Sequence, residues 1–200
     1  MPPDRHGESA GQREPVMFFK SAAAWEEWLA ENHARAASMR VKMAKRGSGI
    51  ASVAYPEVLA IAISYGWIDG VRNAFDENHF LQRFTPRRAR SRWSKINRET
   101  ATRLIESKRM KPAGLREVEK AKADGRWEAA YDSHRTASVP DDLRRALCKN
   151  RGAGEFFATL DSQNRYAVLY RIADAKRPET RARRISQFVE MLSRGEKLHP

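Results

Sequence analysis

The stretch that decides the fold is Trp67-Ile68-Asp69-Gly70-Val71-Arg72-Asn73-Ala74-Phe75, then Asp76-Glu77-Asn78-His79, then Phe80-Leu81-Gln82-Arg83-Phe84-Thr85-Pro86. Two extended runs carrying aromatic and β-branched residues flank a four-residue polar turn, which is the pattern of a β-hairpin. Pro86 lacks the N–H a continuing ladder would need and ends the second strand. Working back from the hairpin, Gly66 supplies a helix stop. The preceding helix opens at Pro56 and carries Val58, Leu59, Ile61, Ala62 and Ile63 around its circumference, as a buried helix does. Before it, Gly47-Ser48-Gly49 makes a turn, and Met39-Arg40-Val41-Lys42-Met43 alternates with period two, a short strand with Arg40 and Lys42 on one side. Ser21 is placed to cap a helix with Trp25, Trp28 and Leu29 on one flank.

Beyond the hairpin the chain reads as helix throughout. Ser94 caps a helix through Ile96, Leu104 and Ile105, and Pro112 opens another that ends at Asp124-Gly125. Pro140-Asp141-Asp142 starts a third. Glu155 to Leu160 is a short fourth, Asp161 or Ser162 caps a fifth, and Pro178 opens a last one with Ile185, Phe188, Val189 and Leu192 in a stripe before Gly195. The expected class is mainly α (α+β): an N-terminal helical part with a small antiparallel β-hairpin or sheet, and a C-terminal all-helical subdomain. The expected division is a disordered tail over 1–17, an α+β domain over 18–137 and a helical domain over 138–200, the boundary falling between Thr136 and Val139.

With 38 Lys and Arg against 25 Asp and Glu, the formal net charge is +13, which points to polyanionic partners: nucleic acid, phosphorylated ligands or an anionic surface. Drift in base composition toward Arg and Ala accounts for the same number. Hydrophobic residues at 41% place the chain among folded proteins. The run Val58–Ile63 is too short to span a bilayer, so no membrane span is expected, and residues 1–15 contain no apolar export segment. A single cysteine, Cys148, fits a reducing compartment, and the expected location is cytoplasmic.

The residues that read as functional crowd between Gly66 and Asn97. Arg83, Arg87, Arg88, Arg90, Arg92, Lys95, Arg98 and Arg103 meet only Glu99 within their own span, and like charges at that density repel unless a partner or solvent absorbs them. Strand alternation puts Trp67 and Asp69 on one face, and Arg83 and Thr85 on one face of the partner strand. Where those faces coincide, Asp69 orients the Arg83 guanidinium, whose other donors then serve a carboxylate or phosphate. Arg87 and Arg88 add charge, Trp67 or Trp93 gives a flat wall, and the helix starting at Ser94, with Asn97 in its first turn, points N–H groups at the same place. The resulting expectation is an anion-binding cleft of Trp67, Asp69, Arg83, Thr85, Arg87, Arg88, Trp93, Ser94 and Asn97. The competing reading stays open: an Asp69–Arg83 ion pair that fixes the hairpin, Trp67 and Trp93 in the core, and Ser94 only a cap. A secondary basic face is expected at Lys176, Arg181 and Arg184, with a plain solvated helix face as its alternative.

Several runs together resemble the bacterial bacteriocin-protection, YdeI/OmpD-associated family. They are Gly66-Trp67-Ile68-Asp69, Arg83-Phe84-Thr85-Pro86-Arg87-Arg88, Ser91-Arg92-Trp93-Ser94-Lys95-Ile96-Asn97, Arg109-Met110-Lys111-Pro112-Ala113-Gly114-Leu115, Asp124-Gly125-Arg126-Trp127, Val139-Pro140-Asp141-Asp142-Leu143 and Ala175 through Ile185. The resemblance spans roughly Phe18 to Gly195. It implies a protective or stress-associated role and transfers no reaction and no catalytic residues.

Other chemistries find little footing. His6, His33, His79, His134 and His199 are scattered and, with one cysteine, give no metal-ligand spacing; no metal and no cofactor are expected. Gly152-Ala153-Gly154 lacks the third glycine and the preceding strand of a dinucleotide fingerprint. Three functions remain: a non-enzymatic protective or adaptor protein that binds an anionic ligand or protein partner; a sequence-tolerant nucleic-acid-binding protein using Trp93 and Phe84 among basic patches; and an enzyme on a phosphorylated or carboxylated small molecule, with Asp69 as base and Arg83 and Arg87 as clamp.

Overall fold

The structure, a computed structural model, describes residues 14–133 and 137–200. Residues 1–13 of the expected tail, and Thr136 of the expected boundary, lie outside the described residues. The elements run β1 (Val16–Phe18), α1 (Ala22–Asn32), β2 (Met39–Ala44), α2 (Tyr55–Ser64), β3 (Trp67–Ala74), β4 (His79–Pro86), α3 (Lys95–Glu106), α4 (Pro112–Ala123), α5 (Asp141–Lys149), α6 (Arg151–Thr159), α7 (Ser162–Ala173) and α8 (Pro178–Ser193). The chain divides into two compact units, residues up to Ser91 with Thr100–Asp124, and Arg92–Glu99 with Gly125–Pro200.

In the first unit the hairpin β3–β4 forms one side of a four-stranded sheet of order β1-β2-β4-β3, with β4 inside and β3 at the edge. β2 and β3 flank β4 antiparallel, and β1 runs parallel to β2. The sequence predicted the hairpin and β2 but not β1. Val16-Met17-Phe18 is a three-residue edge strand whose side chains are all exposed, so it carries no alternation to read; it is defined by pairing Val16, Met17 and Phe18 with Arg40, Val41 and Lys42. Of the tail expected over 1–17, the described part from Glu14 onward leads into and forms β1, and the sheet is mixed rather than antiparallel throughout.

The period-two pattern of β2 sorts its side chains as expected. Met39, Val41 and Met43 are buried, while Arg40 and Lys42 lie on the other face. The buried face carries a cluster of tryptophans. Trp25 and Trp28 of α1 stack with ring centroids 5.4 Å apart, and Trp67 meets both edge-on. The buried indole N–H groups are satisfied by backbone: Trp25 donates to the Val58 carbonyl and Trp67 to that of His33, each at 3.1 Å. Ser21 caps α1 by accepting from the Ala24 N–H. Between Asp69 and Arg72 the β3–β4 register shifts, and the buried Gln82 side chain holds the irregularity by donating to the Gly70 carbonyl at 2.8 Å.

α2 ends at Gly66, whose φ of +77° is the left-handed turn that glycine adopts without strain. α4 comes close to this end: a Cβ built on Gly114 would lie 2.2 Å from the Ser64 carbonyl oxygen and 2.7 Å from that of Ile63.

Among the described residues the second unit is helical apart from a single parallel bridge between Ser94 and Tyr131. Its core gathers Leu143 and Leu147 of α5, Ala153 and Phe157 of α6, Val168, Leu169 and Ile172 of α7, and Ile185, Phe188 and Leu192 of α8. The α8 stripe is the one its 3.6-residue period predicts. Asn150 and Asp161 cap α6 and α7 through their side chains.

Candidate functional site

The hairpin register decides the fate of the expected cleft. Trp67 stands opposite Pro86, Ile68 opposite Thr85 and Asp69 opposite Phe84. Asp69 thus shares the face of the buried Phe84, and Arg83, one position along, points to the other side. The expected Asp69–Arg83 pair does not form. Asp69 instead accepts the Tyr55 hydroxyl at 2.7 Å. The base-and-clamp arrangement drawn around Asp69 and Arg83 goes with it.

The other expected residues separate in the same way. Trp67 and Trp93 are each 1% exposed, so neither ring offers a flat wall to a ligand. Thr85 is half-buried on the Arg83 side of the hairpin; Arg87 is buried, with its backbone N–H donating to the Gly66 carbonyl at 2.9 Å. Trp93, Ser94 and Asn97 belong to the second unit. There Trp93 packs edge-on against Trp127, Ser94 caps α3 by accepting from the Asn97 N–H at 3.1 Å, and Asn97 is buried. Trp93 and Ser94 thus stand where the competing reading put them, in the core and at a cap.

Much of the basic cluster finds carboxylates from far along the chain. Arg92 reaches Asp174 at 2.6 Å and the Tyr170 hydroxyl at 2.7 Å, Lys95 reaches Asp132 at 2.8 Å, and Arg98 lies 3.9 Å from Glu128. The secondary face is treated alike. Arg181 forks onto Asp142 with Nε at 2.6 Å and Nη2 at 3.0 Å, and Arg184 lies 3.5 Å from Asp174, while Lys176 is exposed. Arg181 also borders a 570 Å³ groove between α5 and α8 whose apolar side is Ala146, Ile185 and Val189.

One arrangement of the cluster stands out because the backbone forces it. β2 and β4 pair Arg40 directly opposite Arg83, on the sheet face away from the tryptophans. Directly opposed like charges destabilise an antiparallel pair. Here both guanidinium groups converge on one carboxylate, that of Glu14, two residues before β1. Arg83 donates Nε at 2.7 Å and Nη2 to the same Glu14 oxygen, and Arg40 donates Nε at 2.9 Å. The Arg83 hydrogen bond is the main reason the Glu14 carboxyl is lowered to about 2; burial pushes the other way, and Arg40 and Ser38 add to the lowering. The carboxylate sits at the edge of a 660 Å³ cleft lined by Pro15, Ala36, Ala37, Ser38, Arg83 and the exposed Arg88.

Two positions further along the same face, Lys42 lies 4.5 Å over the Phe75 ring and 3.4 Å from Asp76, and Phe18 meets His79 edge-on. Burial pushes the Asp76 carboxyl up, but the His79 ring and the N–H groups of Asn78 and His79 outweigh it and hold Asp76 at about 2. Sequence reasoning missed Arg40 and Glu14. The alternation over 39–43 marked Arg40 as outward-facing, but nothing local marks Glu14.

A family model described as a domain of unknown function (DUF8412) matches residues 17–117, half of the 200-residue chain. The chain belongs to this family. The DUF8412 match holds Arg40, Arg83 and Arg88 and begins just after Glu14. A second model, described as bacteriocin-protection, YdeI or OmpD-associated, matches residues 136–195. That span is narrower than the motifs suggested: the Gly-Trp-Ile-Asp and Arg-Phe-Thr-Pro-Arg-Arg runs fall within the DUF8412 match. No curated protein and no solved structure matches the chain significantly. Among the described residues no helix is long and apolar enough to cross a membrane, and no group of His, Cys, Asp and Glu could hold a metal ion.

Proposed function

We propose that this DUF8412 protein is a non-enzymatic, cytoplasmic binding protein that holds an anionic group of its partner between Arg40 and Arg83. The observation that carries the reading is the convergence of two cross-strand guanidinium groups on the Glu14 carboxylate. Glu14 behaves as a ligand would: it is a carboxylate gripped by a fork that an incoming carboxylate or phosphate fits equally well. The chain's own acid therefore marks the site and competes for it. Arg88 on the rim of the same cleft supplies a further cation. The lone Cys148, exposed and unbridged, suits a reducing compartment. The name of the family matched over 136–195 associates it with bacteriocin protection, a role that binding alone can serve.

Removing Glu14 tests this. Glu14→Gln leaves Arg40 and Arg83 to repel, so its melting temperature falls below that of the parent. Inorganic phosphate then raises it again, with an apparent affinity about tenfold tighter than for the parent, because an intramolecular competitor has been deleted. In Arg83→Gln the phosphate response disappears. Equal phosphate responses in parent and Glu14→Gln, or an undiminished response in Arg83→Gln, would overturn the reading.

A further inference from the structure

The face that carries Arg40 and Arg83 has an unusual composition for a sheet face over which no element packs among the described residues. Phe18 is 39% exposed and Phe75 50%, with Val16 beside them at 45%. Register places Phe18 beside Lys42 and Val16 beside Arg40, so apolar and cationic side chains sit on the same rungs. Lys42 lies over Phe75, His79 lies edge-on to Phe18, and the Arg40–Arg83 pair is one side-chain repeat away, about 7 Å along the strand. The carboxylates on this face are engaged by the same cations, Glu14 by Arg40 and Arg83 and Asp76 by Lys42.

We infer that this sheet face is a platform for single-stranded nucleic acid, with bases stacked on Phe18 and Phe75 and a backbone phosphate held by Arg40 and Arg83. The inference rests on the anion site proposed above and names its partner. Exposed rings on a sheet face, interleaved with cations, can stack unpaired bases of any sequence. Duplex bases are already stacked on one another and leave these rings nothing to stack on. A net charge of +13 supplies the long-range attraction such a polyanion needs. Glu14 and Asp76 give way as the phosphates arrive.

Fluorescence anisotropy of the full chain with labelled oligouridylate, oligothymidylate and a duplex of mixed sequence tests it. Both single strands are expected to bind and the duplex to bind at least tenfold more weakly, with affinity falling as salt rises; Arg83→Gln flattens the salt slope by about 0.7 for each phosphate the variant no longer neutralises. Phe18→Ala and Phe75→Ala each weaken single-strand binding about tenfold while leaving the phosphate response at Arg83 as in the parent. Phe75→Trp keeps a ring and keeps binding, which separates lost stacking from lost fold. Single strands that fail to bind at low salt while phosphate still engages Arg83 overturn this inference and leave the anion site standing. So do alanine variants that bind like the parent, or a duplex bound as tightly as the single strands. Loss of the phosphate response itself would remove both.

Discussion

Glu14 is the residue on which the site turns, and its acidity is the property to measure. Its folded value, about 2, lies below the ordinary 4.5 because Arg83 and Arg40 hydrogen-bond the charged form more strongly than burial penalises it. A group with a depressed folded value contributes stability above its unfolded value and loses it as pH falls through the folded one. The clamp is therefore complete at pH 5 and above, and its contribution is lost progressively as pH falls from about 4.5 to about 2. A carboxyl carbon-13 titration should put the Glu14 midpoint near 2 in the parent and move it toward 4.5 in Arg83→Gln. A parent midpoint near 4.5 would mean that the fork does not hold the carboxylate in solution. Arg83 itself was visible in the sequence as part of a charge-dense run, but its partner was not. Alternation says which side chains of one strand share a face; only register says which faces meet, and an offset of one residue sent Asp69 to Tyr55 and Arg83 to Glu14.

At the scale of elements, the hairpin, β2 and the helices announce themselves through period, caps and stops. Ser21 and Asp161 cap through their side chains, and Pro56, Pro112 and Pro178 sit in the first turns of their helices, whereas α6 starts at Arg151 behind an Asn150 cap, four residues before the Glu155 start expected. β1 does not announce itself. Three exposed residues at a sheet edge owe their conformation to pairing with β2, to the Arg40 N–H donating to the Pro15 carbonyl at 2.9 Å, and to the Glu14 clamp, all of them non-local. The approach of α4 to the end of α2 is equally silent in sequence, since Gly114 looks like any helical glycine. A Cβ there meets two carbonyl oxygens and lies 2.5 Å from the Met110 sulfur, and backbone cannot step aside as a side-chain tip can. Gly114→Ala, which in an exposed helix would stabilise by about 1 kcal/mol, should here destabilise by ~1–3 kcal/mol in urea unfolding. A variant as stable as the parent would contradict the packing of α4 on α2.

Across the whole molecule, a net charge of +13 and a run of eight cations from Arg83 to Arg103 suggested an anion-binding cleft. The folded chain distributes those cations differently. Asp132, Glu128 and Asp174 take up Lys95, Arg98 and Arg92 in the second unit, and Asp142 takes up Arg181. Such pairs join residues tens of positions apart, so a window that counts only local charge overstates what is left for a partner. Fold class was legible because it follows from local patterns summed along the chain; the site was not, because it follows from three strands meeting. What sets the Arg40–Arg83 pair apart is that the ladder itself places the two cations opposite each other, with the Glu14 carboxylate from outside the sheet to reconcile them. The most direct measurement is nuclear magnetic resonance of the arginine Nε–H groups in Glu14→Gln during titration with inorganic phosphate. The Arg40 and Arg83 signals should shift together and saturate at one common affinity, while Arg181, paired with Asp142, stays still. Unmoved Arg40 and Arg83 signals, or a uniform drift of all arginines, would contradict the site.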